Sequence, residues 1–328
     1  MKPIHVMLTG ILAVLFMQPA PALAEDIDIY SGLGVTGNVP NVLIVMDNAA
    51  NFSSSSAGVT CVIDAAPTAL SGTVGGIEQC ALYNVIKSLP TKADGSALVN
   101  IGMMVYNANN IRDVNNLNCG ATSSTGGCLA QPLIPMDVSH KTGFLNWIKS
   151  WKTTAGTGDG YIKASGGATA VTMQEAWAYY SGGTGVSGRN YSGIKPASGC
   201  QKNFVIFIGN SYSSSGTPGD PPNDPSTYLT SAVNSLTQPS SLTTAQWTAK
   251  KEGWKTQILD TVTTSCPSGP GGSTSYTFPS SAHDTKGYYA DEWARFMNEA
   301  DLYGTPDGTQ SITTYAIGLL GASCQAEY

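Results

Sequence analysis

Four short stretches of the chain run apolar with little interruption: "NVLIVMD" (41–47), "ALVNIGMMVY" (97–106), "KNFVIFIGN" (202–210) and "SITTYAIGLLG" (311–321). A strand with one face in water alternates apolar and polar residues, so unbroken runs demand apolar cover on both faces. Segments with a helical period lie between them. "GIEQCALYNVIKSLP" (76–90) sets Ile77, Ala81, Val85, Ile86 and Leu89 on one face, and Pro90 closes it. "SHKTGFLNWIKSW" carries Phe144, Trp147, Ile148 and Trp151 at helical spacing, and "GGATAVTMQEAWAYYSGG" (166–183) is bracketed by glycines. "DEWARFMNEADLYG" (291–304) lines up Trp293, Phe296, Met297 and Ala300. Strands alternating with helices predict an α/β fold: a mostly parallel sheet with helices on both faces. "LAQPLIPM" (129–136), with its two prolines, reads as an edge strand.

Between 211 and 283 the alternation stops. Two Ser-, Pro- and Gly-rich segments flank one helical candidate, "TTAQWTAKKEGWKTQILDTV", and nothing there supplies a second core. This region reads as a long loop-rich insertion in one domain. At the N-terminus, Lys2, the apolar "IHVMLTGILAVLF" and the small residues "ALA" before Glu25 read as a secretory signal over 1–24. The run is too short to span a bilayer, and no second run of spanning length follows, so the domain of 25–328 carries no integral membrane segment. An exported chain keeps its cysteines oxidised. Cys119 with Cys128 closes the tight loop "CGATSSTGGC", and Cys61 with Cys80 is the next easiest pair. Cys200, Cys266 and Cys324 leave one thiol over, with Cys266 and Cys324 the further disulfide candidates.

Charged residues make up 12% of the chain, well under the usual share, and the net charge is −6. With 16 Lys and Arg spread along the chain, no basic stripe forms for nucleic acid. Catalysis finds little support. His140 stands at a helix start and His283 beside Asp284, which reads as a helix cap; there is no G-x-S-x-G elbow for either to serve. "SGGATAV" lacks the lysine of a phosphate loop. The reading is of a binding protein, not an enzyme.

In an open α/β sheet, ligands gather at the carboxyl ends of the strands. Asp47 ends the first apolar run, "SGGAT" (165–169) precedes a helix, and Asn210 ends a later run. Oxygen donors of this kind suit a hard divalent cation. The arrangement resembles the metal-ion-dependent adhesion site of the von Willebrand factor A domain, which has Asp-x-Ser-x-Ser, a loop Thr and a later Asp. Here the first motif reads Asp47-Asn48-Ala49-Ala50-Asn51, Thr169 is the nearest match to the loop Thr, and Asn210 stands where the family has Asp. Two hydroxyls and one carboxylate are replaced, so the site made by Asp47, Asn51, Thr169 and Asn210 is degenerate. No cofactor, or a weakly bound Mg²⁺ or Ca²⁺, is expected, with Asp47 bracing its loop.

Together, "VLIVMDNAANFS", "GIEQCALYNVIKSLP", "KNFVIFIGN" and "YYADEWARFMNEADL…ITTYAIGL" resemble, in order, the N-terminal part of the PilY family of type IV pilus tip adhesins and biogenesis factors. The resemblance implies a von Willebrand A-like, Rossmann-like sheet and export through the periplasm to the cell surface and pilus tip. It further implies docking to minor pilins, attachment to host-cell or abiotic surfaces, and support of twitching motility. Family members continue into a propeller-like domain with a Ca²⁺ loop; this sequence ends at Tyr328. A truncated product, an incomplete fragment and a short stand-alone form all fit that difference. A module that only docks minor pilins is the alternative function, with a secreted hydrolase behind it.

Overall fold

The computed structural model describes residues 39–56, 59–64, 72–107, 119, 125–154, 156, 160–164, 168–196, 201–209, 225–256, 258, 265–266, 276–277, 289–302 and 310–318. The signal segment at 1–24 lies outside them, as do parts of 211–283. At the centre is β1 (Asn41–Met46), buried at every position. It pairs in parallel with β2 (Asn100–Tyr106) on one side and with β4 (Asn203–Gly209) on the other. β3 (Gly127–Pro135) adds to β2 in antiparallel fashion, and β7 (Ile312–Gly318) adds to β4 in parallel. The sheet order is therefore β3-β2-β1-β4-β7. A separate antiparallel ribbon joins β5 (Ser265–Cys266) to β6 (Tyr276–Thr277).

Among the described residues, six α-helices accompany the strands. α1 (Val74–Ser88) and α2 (Val138–Lys149) pack on each other, while α3 (Thr169–Ser181) lies against β2 and β3 and α6 (Ala290–Glu299) against β7. One core unites Leu43 and Val45 of β1 with Val205, Phe207, Trp177, Trp293, Phe296 and Met297. The alternate β1 residues Val42, Ile44 and Met46 are equally buried on the other face. Two-sided burial explains why β1 reads as a continuous apolar run.

Two segments depart from the sequence reading. The buried face of α1 is not Ile77, Ala81, Val85 and Leu89: Val85 is 57% exposed, whereas Gln79, Cys80, Leu82, Tyr83 and Ile86 are buried. Gln79 donates to the carbonyls of Ile148 (2.6 Å) and Trp151 (3.2 Å), and Cys80 is bonded to Cys61. A satisfied amide and a disulfide outweigh the hydrophobic stripe. The second departure is in α2, where Phe144 and Ile148 are buried but Trp147 only half so.

The insertion is joined to the main core. α4 (Pro225–Ser235) and α5 (Thr244–Lys255) deliver Leu229, Val233, Trp247 and Trp254 to it. α5 opens with a capping box between Thr243 and Gln246, and α6 fixes its other end. There Arg295 donates to the carbonyls of Trp254 and Thr256, Glu299 accepts from the Trp254 indole (2.8 Å), and Glu292 accepts from the Ile258 N–H. α6 starts with Tyr289 at its N-cap position, and Asp284 lies outside the described residues. Among the described residues, no helix is long and apolar enough to cross a membrane.

Candidate functional site

The strand order reverses at β1: one connection leads away to β2 and β3, and the later chain returns to β4 and β7 on the opposite side. Such a switch point opens a crevice at the strands' carboxyl ends. Asp47 and Asn48 follow β1 there, both fully buried. The Asp47 N–H donates to the Ile208 carbonyl (2.9 Å), which ties the end of β1 to β4. Its Oδ1 accepts from the Ala49 N–H at 2.9 Å, a side chain turning its own backbone two residues on. The loop then continues as a short 3₁₀ turn, Ala50–Ser53, whose Phe52 is buried against Gly75 at the start of α1.

Asn48, to which the sequence reading assigned no role, is the hub of this rim. Its Oδ1 accepts from the Tyr106 N–H (2.9 Å) and its Nδ2 donates to the Ile162 carbonyl (2.5 Å). Its own carbonyl accepts from the Ala164 N–H at 2.7 Å. One amide thus clamps the ends of β1 and β2 to the segment leading into α3. Thr169, the first residue of α3, is 2% exposed, and its hydroxyl lies 2.7 Å from the Tyr106 hydroxyl.

The structure therefore brings Asp47 and Thr169 to the same end of the sheet. Asn210 and the Asn51 side chain lie outside the described residues. A divalent cation does not fit the donors that are described: Asp47 braces Ala49, position 49 offers no side-chain oxygen, and the Thr169 hydroxyl is bonded to Tyr106. Mg²⁺ requires near-octahedral oxygen coordination, which one carboxylate does not supply. Among the described residues, no group of three or more His, Cys, Asp or Glu side chains is placed to hold a metal.

A second buried acid supports the rim from beneath. Glu175, in α3, accepts from the Ser187 N–H (2.9 Å), the Ser187 hydroxyl (2.6 Å), the Tyr191 hydroxyl (2.6 Å) and the Gly127 N–H. Burial raises its pKa above the usual carboxylate value, against the pull of these donors. Burial likewise raises the Tyr191 phenol, with the Glu175 charge adding to the shift. A Cβ at Gly185 would overlap the Glu175 carboxylate, so a residue without a side chain is required there. Next to it, Arg189 donates to the Cys119 carbonyl (2.8 Å) and lies over the Tyr191 ring. The sequence signal for this bracket is one acid, Glu175, in a helix with no other charge.

The structure bonds Cys119 to Cys128 and Cys61 to Cys80, the two pairs that spacing favours. The first closes the β2–β3 loop at the rim. Cys200 and Cys324, and the side chain of Cys266, lie outside the described residues. His140 sits in the first turn of α2 with Nδ1 2.7 Å from Asp137 Oδ2. It lines an open groove of about 280 Å³ with Gln131, Ile134, Ser139, Gly143 and Phe144. The Ser139 hydroxyl donates to Asp137, not to the imidazole, so His140 does not activate Ser139 here. His283 lies outside the described residues.

No family model and no curated protein matches the sequence. Among solved structures, the chain is similar to the pilus adhesin SpaC from Lactobacillus rhamnosus GG in its open conformation. The TM-score is 0.30 and the identity 11%, over 53% of this chain and 15% of that one. At that overlap the likeness carries no argument about fold or function.

Proposed function

We propose that this chain is the von Willebrand A-like part of a PilY-type pilus-tip protein, exported to the cell surface and acting by binding rather than catalysis. The observation that carries the reading is the position of Asp47, at the carboxyl end of the central parallel strand and at the switch point of a sheet whose one antiparallel strand lies at an edge. The sequence resemblance and two disulfides suited to an oxidising compartment support it. The Asp47 loop braces itself, so binding at this rim is independent of Mg²⁺ and falls to the loops around it and to the insertion. Minor pilins dock the module at the pilus tip, and the loops around the rim together with the insertion meet host-cell or abiotic surfaces.

Attachment and twitching of cells carrying a deletion of this chain test the proposal. Complementation restores both, and chelation of divalent cations leaves attachment by this module unchanged. Attachment that is unaltered in the deletion strain, while minor pilins still co-purify with the protein, would instead make it an assembly module.

A further inference from the structure

The three central parallel strands each open with asparagine: β1 reads "NVLIVM", β2 "NIGMMVY" and β4 "NFVIFIG". Every later position in them is apolar, aromatic or glycine. Register sets the asparagines side by side, with Asn41 facing Asn100 on one flank and Asn203 on the other. Their side chains are joined. Asn100 Nδ2 donates to Asn41 Oδ1 at 2.9 Å, and Asn41 Nδ2 donates to Asn203 Oδ1 (2.9 Å) and Gln201 Oε1 (3.1 Å). Asn41 and Asn203 are buried, Asn100 and Gln201 half-buried. The row stops at the outer strands, where Pro135 of β3 faces Asn100 and Ile312 of β7 faces Asn203. A strand with one wet face has its register fixed by alternation, because a slip turns apolar residues to water. β1 is buried on both faces and apolar after Asn41, so burial alone separates the true pairing from a slipped one only weakly. Sliding β4 two residues along β1 would set Val205 beside Asn41 and Phe207 beside Leu43, with apolar still against apolar. It would break the row and leave buried Asn41 without Asn203.

We propose that Asn100, Asn41 and Asn203 are the register lock of this sheet, selecting one alignment of β2 and β4 on β1 from several that apolar burial tolerates. A single buried Asn plays this part in coiled coils, where it specifies register at a cost in stability. Hairpins take their register from the turn, but β4 lies far along the chain, with Asn203 162 positions after Asn41. No tight turn sets its alignment. The lock also positions the rim. A two-residue slip moves a strand by about 7 Å. That would carry Ile208 away from the Asp47 N–H, or Tyr106 away from Asn48, the contacts that hold the rim together.

Assigned amide NMR spectra of the intact, disulfide-bonded chain test this, read beside urea unfolding. Wild type gives one set of resonances in β1, β2, β4 and the rim. Asn41→Leu/Asn203→Leu removes the two buried members together, sets apolar groups of similar shape in their place, and leaves Asn100 and Gln201 to water. Its urea midpoint stays near wild type, because cores lose uniqueness before they lose stability. Its β4 and Asp47 amides split into two or more sets, the minor set at roughly a tenth of the major or above. Asn203→Leu alone leaves Asn41 bonded to Asn100 and Gln201; it splits β4 but not β2, and it decides the matter if the double variant does not fold. Gln79→Leu, at a buried amide that bonds backbone carbonyls outside the sheet, lowers the midpoint and keeps one set. One set of resonances in every folded ladder variant overturns the proposal. So does splitting in Gln79→Leu equal to that of the ladder variants, which would mark a general loosening of the core.

Discussion

Asp47 and Glu175 are both buried carboxylates, yet their neighbours give them different work. Asp47 holds one turn: removing its carboxylate leaves the Ala49 N–H buried without this acceptor, and a lost acceptor of that kind costs about 1–3 kcal/mol. Asp47→Ala should therefore lower stability by that order in urea unfolding, and Asp47→Asn, which keeps an oxygen in place, by less. Millimolar Mg²⁺ should shift the Tm of neither variant nor of wild type; a rise in wild type that Asp47→Ala abolishes would mean a working metal site. Asp47 was legible because a carboxylate at the end of an apolar strand is conspicuous. Asn48 was not, because an amide clamping strand ends through backbone groups leaves no spacing to read. Nor could the sequence show that Thr169 would spend its hydroxyl on Tyr106 from a strand 63 positions away.

The helices that carry the insertion are held by α6, and one of its contacts is sensitive to pH. Glu292 is buried beside Asp291, and desolvation first, then the neighbouring carboxylate, lifts its pKa to about 9. A folded-state pKa above the unfolded one gives stability that is fully present below pH about 4 and is lost as pH rises towards 9. Urea midpoints should accordingly fall between pH 5 and 9, and Glu292→Gln should flatten that decline; an equal slope in the variant would assign it elsewhere. At this scale the strands of the main sheet were legible in the sequence, the β5–β6 ribbon was not, and α6 was, with Trp293, Phe296, Met297 and Ala300 all buried. α5 lies within the one helical candidate of the insertion. α4 was not legible, since "PSTYLTSAVNS" carries few strong helix formers and takes its stability from Leu229 and Val233 entering the shared core. The misread face of α1 has the same origin: its burial is set by Gln79 and Cys80 reaching groups in other elements.

Across the whole molecule, stability rests on covalent closure as well as on the core. The two bridges span 19 and 9 positions, and loop-closure entropy assigns each about 3 kcal/mol. Cys61→Ala/Cys80→Ala should lower the Tm markedly while leaving the rim loops protected from proteolysis; Cys119→Ala/Cys128→Ala should open the β2–β3 loop to cleavage near Thr125. Equal protease sensitivity in both variants would argue against local roles for the two bridges. The parallel arrangement around β1 has a consequence in time. Asn41 reaches its neighbour Asn203 across 162 positions of sequence. At the ordinary pace of synthesis, a segment of that length takes roughly ten to thirty seconds to emerge. Throughout that interval the central strand has no second partner, and the sheet cannot close. Under the export proposed above, this delay keeps the chain in an extended, threadable form through its own connectivity.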